Sequence, residues 1–186
     1  MEQQQMFDYV EAEIDIFKFM KTFFKQNKTF AEIKEIPRSK LETLYAYGYN
    51  HIQSGQYESA AKVFQTLIFF DHLDSKHYLA FGACLQKQQK FDLALIVYTA
   101  ALYVDAENPK IKFNLGICCL ENGQLDAAES YFLDAYSMLN VKKKKKDADK
   151  EFMVGANKLW KLSRRKQGKK LINIENAYIH VDGATS

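Results

Sequence analysis

The chain has no apolar run long enough to cross a membrane. Its longest, Ala94 to Val104, is broken by Thr99 and falls well short of the roughly 20 residues a spanning helix needs. No membrane insertion is therefore expected. Met1 to Glu13 carry acids and glutamines where a secretory leader would need a basic region followed by an apolar stretch. Cysteine is scarce as well. Cys84, Cys118 and Cys119 show neither a disulfide framework nor metal-ligand spacing, and they read as small apolar packing residues in a reducing compartment. His51, His72, His77 and His180 form no ligand cluster, so no metal site is expected. There is no glycine-rich phosphate loop, no nucleophile beside a base and no recognisable carboxylate pair. These absences leave no catalytic residue, no cofactor and no small-molecule substrate to name. The expectation is a cytoplasmic protein that is not an enzyme.

What is present is an ordinary globular composition with an uneven charge distribution. Of 186 residues, 47% are hydrophobic, enough to build a core. The net charge is +3, but residues 41–140 are acidic while residues 141–186 are strongly basic, with a run of lysines from Lys142 to Lys146.

Three glycines, Gly48, Gly82 and Gly116, recur at intervals of 34 residues. Aligned on them, LYAYGYNHIQSGQYESAAKVF, YLAFGACLQKQQKFDLALIVY and KFNLGICCLENGQLDAAESYF bring Ala60, Ala94 and Ala128 into register, and likewise Phe64, Tyr98 and Phe132. This period and pattern resemble the tetratricopeptide repeat, a helix–turn–helix unit. The expected fold is all-α: three such repeats forming a concave right-handed superhelix, with N-terminal helices and a C-terminal capping helix. In each repeat the glycine is expected to let the second helix approach the first, met by the alanine twelve residues later. Leu44, Tyr47 and His51, with their equivalents, should face the partner helix. His51 and Lys112 depart from the large apolar residues usual there.

Taken in order, residues 1–38 read as an N-terminal helical region. A helix from Asp8 to Phe24 has apolar residues on two faces, more than one neighbour covers, which makes it a candidate dimer interface. Thr29 and Glu32 have capping-box spacing and open a short helix that runs toward Ile36 and Pro37. The repeat domain covers 39–140. Ser39 to Glu42 repeat the capping spacing, Gly55 and Gly123 end first helices, and Asp74 and Asn108, the latter followed by Pro109, cap the later ones. Residues 141–170 read as a basic linker and a capping helix from Asp147 to about Gln167, patterned on Phe152, Ala156, Leu159 and Leu162 with Trp160 alongside. Residues 171–186 read as a flexible tail, because their strand-like alternation has no partner strand.

The remaining face of each first helix is the informative one. Tyr45, Tyr49 and Ile52 stand at i, i+4 and i+7, as do Leu79, Ala83 and Gln86, and again Phe113, Ile117 and Leu120. In stacked repeats the first helices line the concave side, so this pattern places an apolar, tyrosine-rich surface in the trough. Such a concavity suits an extended peptide with a few apolar anchors.

A narrower likeness runs from Leu41 to Leu102. It is carried by LYAYGYNHIQSGQYESAAKVFQTL, by the junction Asp71, His72 and Asp74, and by GACLQ with DLALIVY in the second repeat. Here the chain resembles the class II chaperones of bacterial type III secretion, and the likeness extends over about Asp8 to Asn140. The resemblance implies a cytoplasmic chaperone without catalysis, often a homodimer through its N-terminal helices. Its groove would hold an extended segment of a hydrophobic translocator protein and keep that client soluble and competent for secretion. Carried onto matching positions, it implies contacts at Tyr45, Tyr49, Tyr57, Phe70, His72 and Tyr98. Tyr57, Phe70, His72 and Tyr98 come from the resemblance alone, and periodicity would leave Tyr98 in the core.

Two other readings compete. A general tetratricopeptide-repeat scaffold could bind another protein partner, although carboxylate recognition would need basic groove residues, and only Lys76 and Lys110 offer that. Nucleic-acid binding by the basic segment, Lys142 to Lys146 with Arg164, Arg165, Lys166, Lys169 and Lys170, lacks an accompanying aromatic stacking platform and is not expected.

Overall fold

Each repeat is held by an aromatic ring seated on a bare stretch of helix backbone. The computed structural model describes residues 28–140 and 147–169. The expectations for the Asp8–Phe24 helix, the Lys142–Lys146 run and the tail over 171–186 lie outside the described residues. Among the described residues there are eight helices and no strand: α1 (Phe30–Ile33), α2 (Arg38–Gln53), α3 (Tyr57–Phe70), α4 (Ser75–Lys87), α5 (Phe91–Val104), α6 (Pro109–Glu121), α7 (Leu125–Asn140) and α8 (Asp147–Lys166). Helices α2/α3, α4/α5 and α6/α7 are the three repeats. Every helix from α2 to α8 packs mainly on its neighbours in the chain, which is the quasi-one-dimensional contact pattern of a repeat stack.

The physical reason for the period is visible at the glycines. A Cβ built on Gly48 would meet the Phe64 ring at 2.9 Å, one on Gly82 the Tyr98 ring at 2.5 Å, and one on Gly116 the Phe132 ring at 2.6 Å. The group nearest each glycine, and the one that requires it, is thus the aromatic sixteen residues later. Ala60, Ala94 and Ala128 on the same second helices are fully buried.

Local signals set the helix ends. Thr29 and Glu32 form the expected capping box: Oγ1 of Thr29 accepts from the Glu32 amide at 3.2 Å, and Oε2 of Glu32 accepts from the Thr29 amide at 2.8 Å. The helix it opens is shorter than expected and stops where Glu35 turns left-handed at φ 51°. Ser39 does not cap α2. Pro37 precedes that helix at φ −60° and ψ 137°, and no side chain caps it. Asp74 and Asn108 do cap, accepting from the amides of Lys76 and Lys110. First helices are followed by left-handed residues at a 34-residue interval: Gly55 at φ +72°, Gln89 at +60° and Gly123 at +73°. Only the second repeat meets that requirement without glycine.

The C-terminal helix is turned relative to its expected face. Met153, Ala156 and Trp160 are buried against α6 and α7 and Ser163 is buried on the same helix, whereas Leu162 is exposed. Trp160 is large enough to fill the end of the stack, so the helix rotates to bury it. At the other end, Tyr47 is 55% exposed and meets the edge of His51, at 4.5 Å between ring centroids. Its equivalents Phe81 and Leu115 pack into core clusters that include the preceding repeat. Among the described residues no repeat precedes repeat one to supply that cover.

Two substitutions test this account by thermal or chemical unfolding. Gly82→Ala forces the Tyr98 ring aside and is expected to cost about 1–3 kcal/mol, as overpacked cores do. Gln89→Gly removes left-handed strain and is expected to stabilise by about 1 kcal/mol.

Candidate functional site

The glycine also orients the rest of each first helix. At about 100° per residue, the positions three before, one after and four after the glycine lie on one flank of the helix axis. They are neither under the ring nor opposite it. Tyr45, Ile52, Leu79, Ala83, Gln86, Phe113 and Ile117 are all half-buried, and Tyr49 is 49% exposed. Seven of the eleven expected site residues, Tyr45, Tyr49, Ile52, Leu79, Ala83, Phe113 and Ile117, thus form one file across α2, α4 and α6. Leu120, the last position of that pattern, is buried.

Tyr45 anchors the file at its first end. Its ring stands edge-on to Phe64 at 5.4 Å and 6.0 Å from the imidazole of His77. Burial, then the charge of Asp74, then Tyr49 raise its hydroxyl pKa, so it remains a neutral donor and acceptor at physiological pH. Beside it Arg38, Leu41, Asp71, Asp74 and Lys76 line a recess, and the imidazole of His77 is held to the Asp71 carbonyl at 3.1 Å.

Phe70 and His72 do not join the file. Phe70 packs against Phe30 of α1 and against Phe69, with centroids 5.7 and 5.6 Å away. His72 lies in the α3–α4 turn, where its carbonyl accepts from the Tyr78 hydroxyl at 3.1 Å. Tyr57 opens α3 at the opposite end, its carbonyl bonded by Nε2 of Gln88 at 3.2 Å. All three are half-buried rather than enclosed.

Tyr98 is the clear departure. It has no exposed surface, because its ring fills the space left by Gly82, and burial raises its hydroxyl pKa strongly. A peptide lying on the surface cannot touch it. Its hydroxyl donates to Oε1 of Gln86 at 2.9 Å, which places it one bond behind the file.

The file also continues beyond the third repeat. Phe113 sits between Phe132, at 5.8 Å, and Phe152 of α8, at 4.6 Å, and Gly155 of α8 faces the Phe113 ring. Phe152 and Leu159 remain half-buried there. Sequence reasoning treated α8 as a cap only. The spacing of Phe152, Gly155 and Leu159 on one helical flank was the available signal.

Part of the basic segment is already paired within the chain. Arg164 bonds Glu129, and Nζ of Lys169 reaches Asp126 at 2.8 Å and Glu129 at 2.9 Å, tying the end of α8 to the start of α7. The described residues contain no cluster of His, Cys, Asp and Glu able to hold a metal, and no described helix is long and apolar enough to cross a membrane.

Comparison with known proteins places these features. The tetratricopeptide repeat family model matches residues 79–143. Low calcium response locus protein H of Yersinia pestis is 41% identical over 111 residues, covering 60% of this chain and 66% of that protein, just under two thirds of its length. Two structures of SycD, a type III secretion translocator chaperone of Yersinia enterocolitica, are each 34% identical and cover 72% of this chain and 98% of theirs. One is an alternative dimer, with a TM-score of 0.66; the other holds a peptide of the translocator YopD, with a TM-score of 0.65. PcrH, a protein of Pseudomonas aeruginosa, in complex with the chaperone-binding region of PopD, is 30% identical over 71% of this chain and 96% of that one, with a TM-score of 0.66.

The buried thiols give a test of the packing behind the file. Burial pushes Cys84 and Cys118 up to about 11 and raises Cys119 as well. A thiol whose folded pKa is raised contributes stability that is complete below its unfolded value, near 8.5, and lost as pH climbs toward the folded one. The urea midpoint is therefore expected to fall between about pH 8.5 and 11, less steeply in Cys84→Ala. Ellman's reagent at pH 8 should label none of the three until the chain is unfolded.

Proposed function

The chain belongs to the family of type III secretion translocator chaperones, and from that membership we propose that its concave face holds an extended segment of a hydrophobic translocator protein. Bound in this way in the bacterial cytoplasm, the client would be kept soluble and competent for secretion. The observation that carries this reading is the continuous half-exposed apolar file, from Tyr45 and Tyr49 through Leu79 and Ala83 to Phe113 and Ile117. An ordinary repeat stack has no need to keep so much apolar surface within reach of solvent. Tyr57, Phe70 and His72, at the two ends of α3 and in the turn that follows it, would contact the client where it enters or leaves the trough.

The energetics suit a reversible holder. Covering an aliphatic anchor contributes roughly 1.5–3 kcal/mol, and ordering the peptide offsets much of the sum over three or four anchors. The balance is about micromolar. Tyrosine hydroxyls add bonds to peptide carbonyls without charge. No chemical step is part of this function, and no cofactor, metal, nucleic acid or small-molecule substrate is assigned. The pairing of Arg164 and Lys169 with Glu129 and Asp126 leaves less free positive charge for a polyanion. A homodimer completes the proposal, with residues 1–38 as its interface, in keeping with the dimeric SycD.

The double variant Tyr45→Ala, Tyr49→Ala is expected to keep its helical circular dichroism and to lose at least about tenfold in affinity for the YopD peptide by fluorescence anisotropy. Unchanged affinity would refute the groove. Light scattering of the full chain at micromolar concentration is expected to give the mass of two chains, and a strict monomer would remove the dimer.

A further inference from the structure

Three aromatics do the same job under the three glycines, yet only one carries a hydroxyl. Phe64 and Phe132 fill the space at Gly48 and Gly116 as completely as Tyr98 does at Gly82, so packing alone does not call for tyrosine. Burying its hydroxyl would cost free energy unless a partner were supplied. The partner is Gln86, and the same 34-residue register shows how specific the pairing is. Where repeats one and three have Phe64 and Phe132, their groove positions equivalent to Gln86 are Ile52 and Leu120. Core hydroxyl and groove amide occur together in the middle repeat and are both replaced by apolar groups in the other two.

The network built on that pair spans a helix boundary. Oε1 of Gln86 accepts from Tyr98 at 2.9 Å, and Nε2 donates to the Asn114 carbonyl at 3.4 Å and lies 3.3 Å from Sγ of Cys118. Flipping the amide would set Oε1 against the Asn114 carbonyl, so that carbonyl selects which way the amide faces, and the bond from the Tyr98 hydroxyl to Oε1 holds the side chain in that place. Gln86 is on α4, and Asn114 and Cys118 are on α6. These two first helices touch only lightly otherwise, and Ala83 on α4 and Ile117 on α6 are the positions of the file on either side of the seam between them.

We infer that Tyr98 is a positioning residue for client binding: its buried hydroxyl orients Gln86, which ties α4 to α6 and sets the spacing of the anchor sites on either side of that seam. The inference rests on the groove reading above and deepens it. It also accounts for a buried tyrosine at a position where the family resemblance implies a contact. The effect on the client passes through the amide and not through the ring.

The decisive variant restores the pattern of the flanking repeats, Tyr98→Phe with Gln86→Leu. Replacing both partners of a buried hydrogen bond by apolar groups of similar shape is nearly neutral or stabilising. The pair is therefore expected to melt within about 4 °C of wild type or above it, and to bind the YopD peptide about tenfold more weakly. In a Gln86→Leu background, adding Tyr98→Phe should change affinity no further. A stable double variant that binds within about twofold of wild type, while Tyr45→Ala, Tyr49→Ala loses the peptide, would leave the groove reading standing and overturn this inference. A large loss of melting temperature in the double variant would also overturn it, by making the network a stability element. If Tyr45→Ala, Tyr49→Ala binds like wild type, the groove reading fails and this inference fails with it.

Discussion

The contact on which the rest depends is an aromatic ring lying where a Cβ would otherwise stand. At Gly48, Gly82 and Gly116 the ring sixteen residues later comes closer than any side chain at the glycine would permit. That one contact sets the distance between the two helices of a repeat and the rotation of the first helix about its axis. Both consequences matter. The close approach buries the alanines on the second helix, and the rotation decides which side chains are left on the concave flank.

Function follows from that rotation rather than from any separate motif. Residues on the flank are half-buried because they pack sideways onto neighbouring helices while one edge stays open. Tyr45 illustrates the compromise: it meets Phe64 and His77 and also lines a recess. Side chains already packed along one edge have less freedom to lose when a peptide binds, which lowers the ordering cost of binding. The polar link from Tyr98 through Gln86 to α6 crosses the only seam in the described repeats where a groove amide replaces an aliphatic side chain.

The stack also needs an end. α8 supplies it by burying Trp160 and Met153 against the last repeat, and by pairing Arg164 and Lys169 with acids at the start of α7. The acidic repeats and the basic C-terminal segment, conspicuous as a charge asymmetry along the chain, are thus partly an internal match. By placing Phe152 against Phe113, α8 also lengthens the apolar file past the third repeat.

Much of this was legible in the residues themselves. The 34-residue period, the capping side chains of Thr29, Asp74 and Asn108, and the apolar flank at i, i+4 and i+7 are local or periodic properties, and an α-helix converts them into geometry with little help from elsewhere. Residues whose environment depends on a second element were not legible in that way. Tyr47 and Phe81 occupy the same place in the repeat, yet Phe81 is covered by the repeat before it and Tyr47 has none. Trp160 and Leu162 are two residues apart on one amphipathic helix, and the shape of the stack's end chose the larger ring to bury. Tyr98 carries the aromatic signature of the core and the resemblance of a binding residue. Only the packed structure shows that its ring serves the first role and its hydroxyl reaches toward the second. The sequence by itself determined the helices, their pairing and the composition of the exposed flank, because those rest on contacts within a repeat. Burial at the ends of the stack and across the seam between repeats was decided by the tertiary structure, because it depends on which neighbour is there to exclude water.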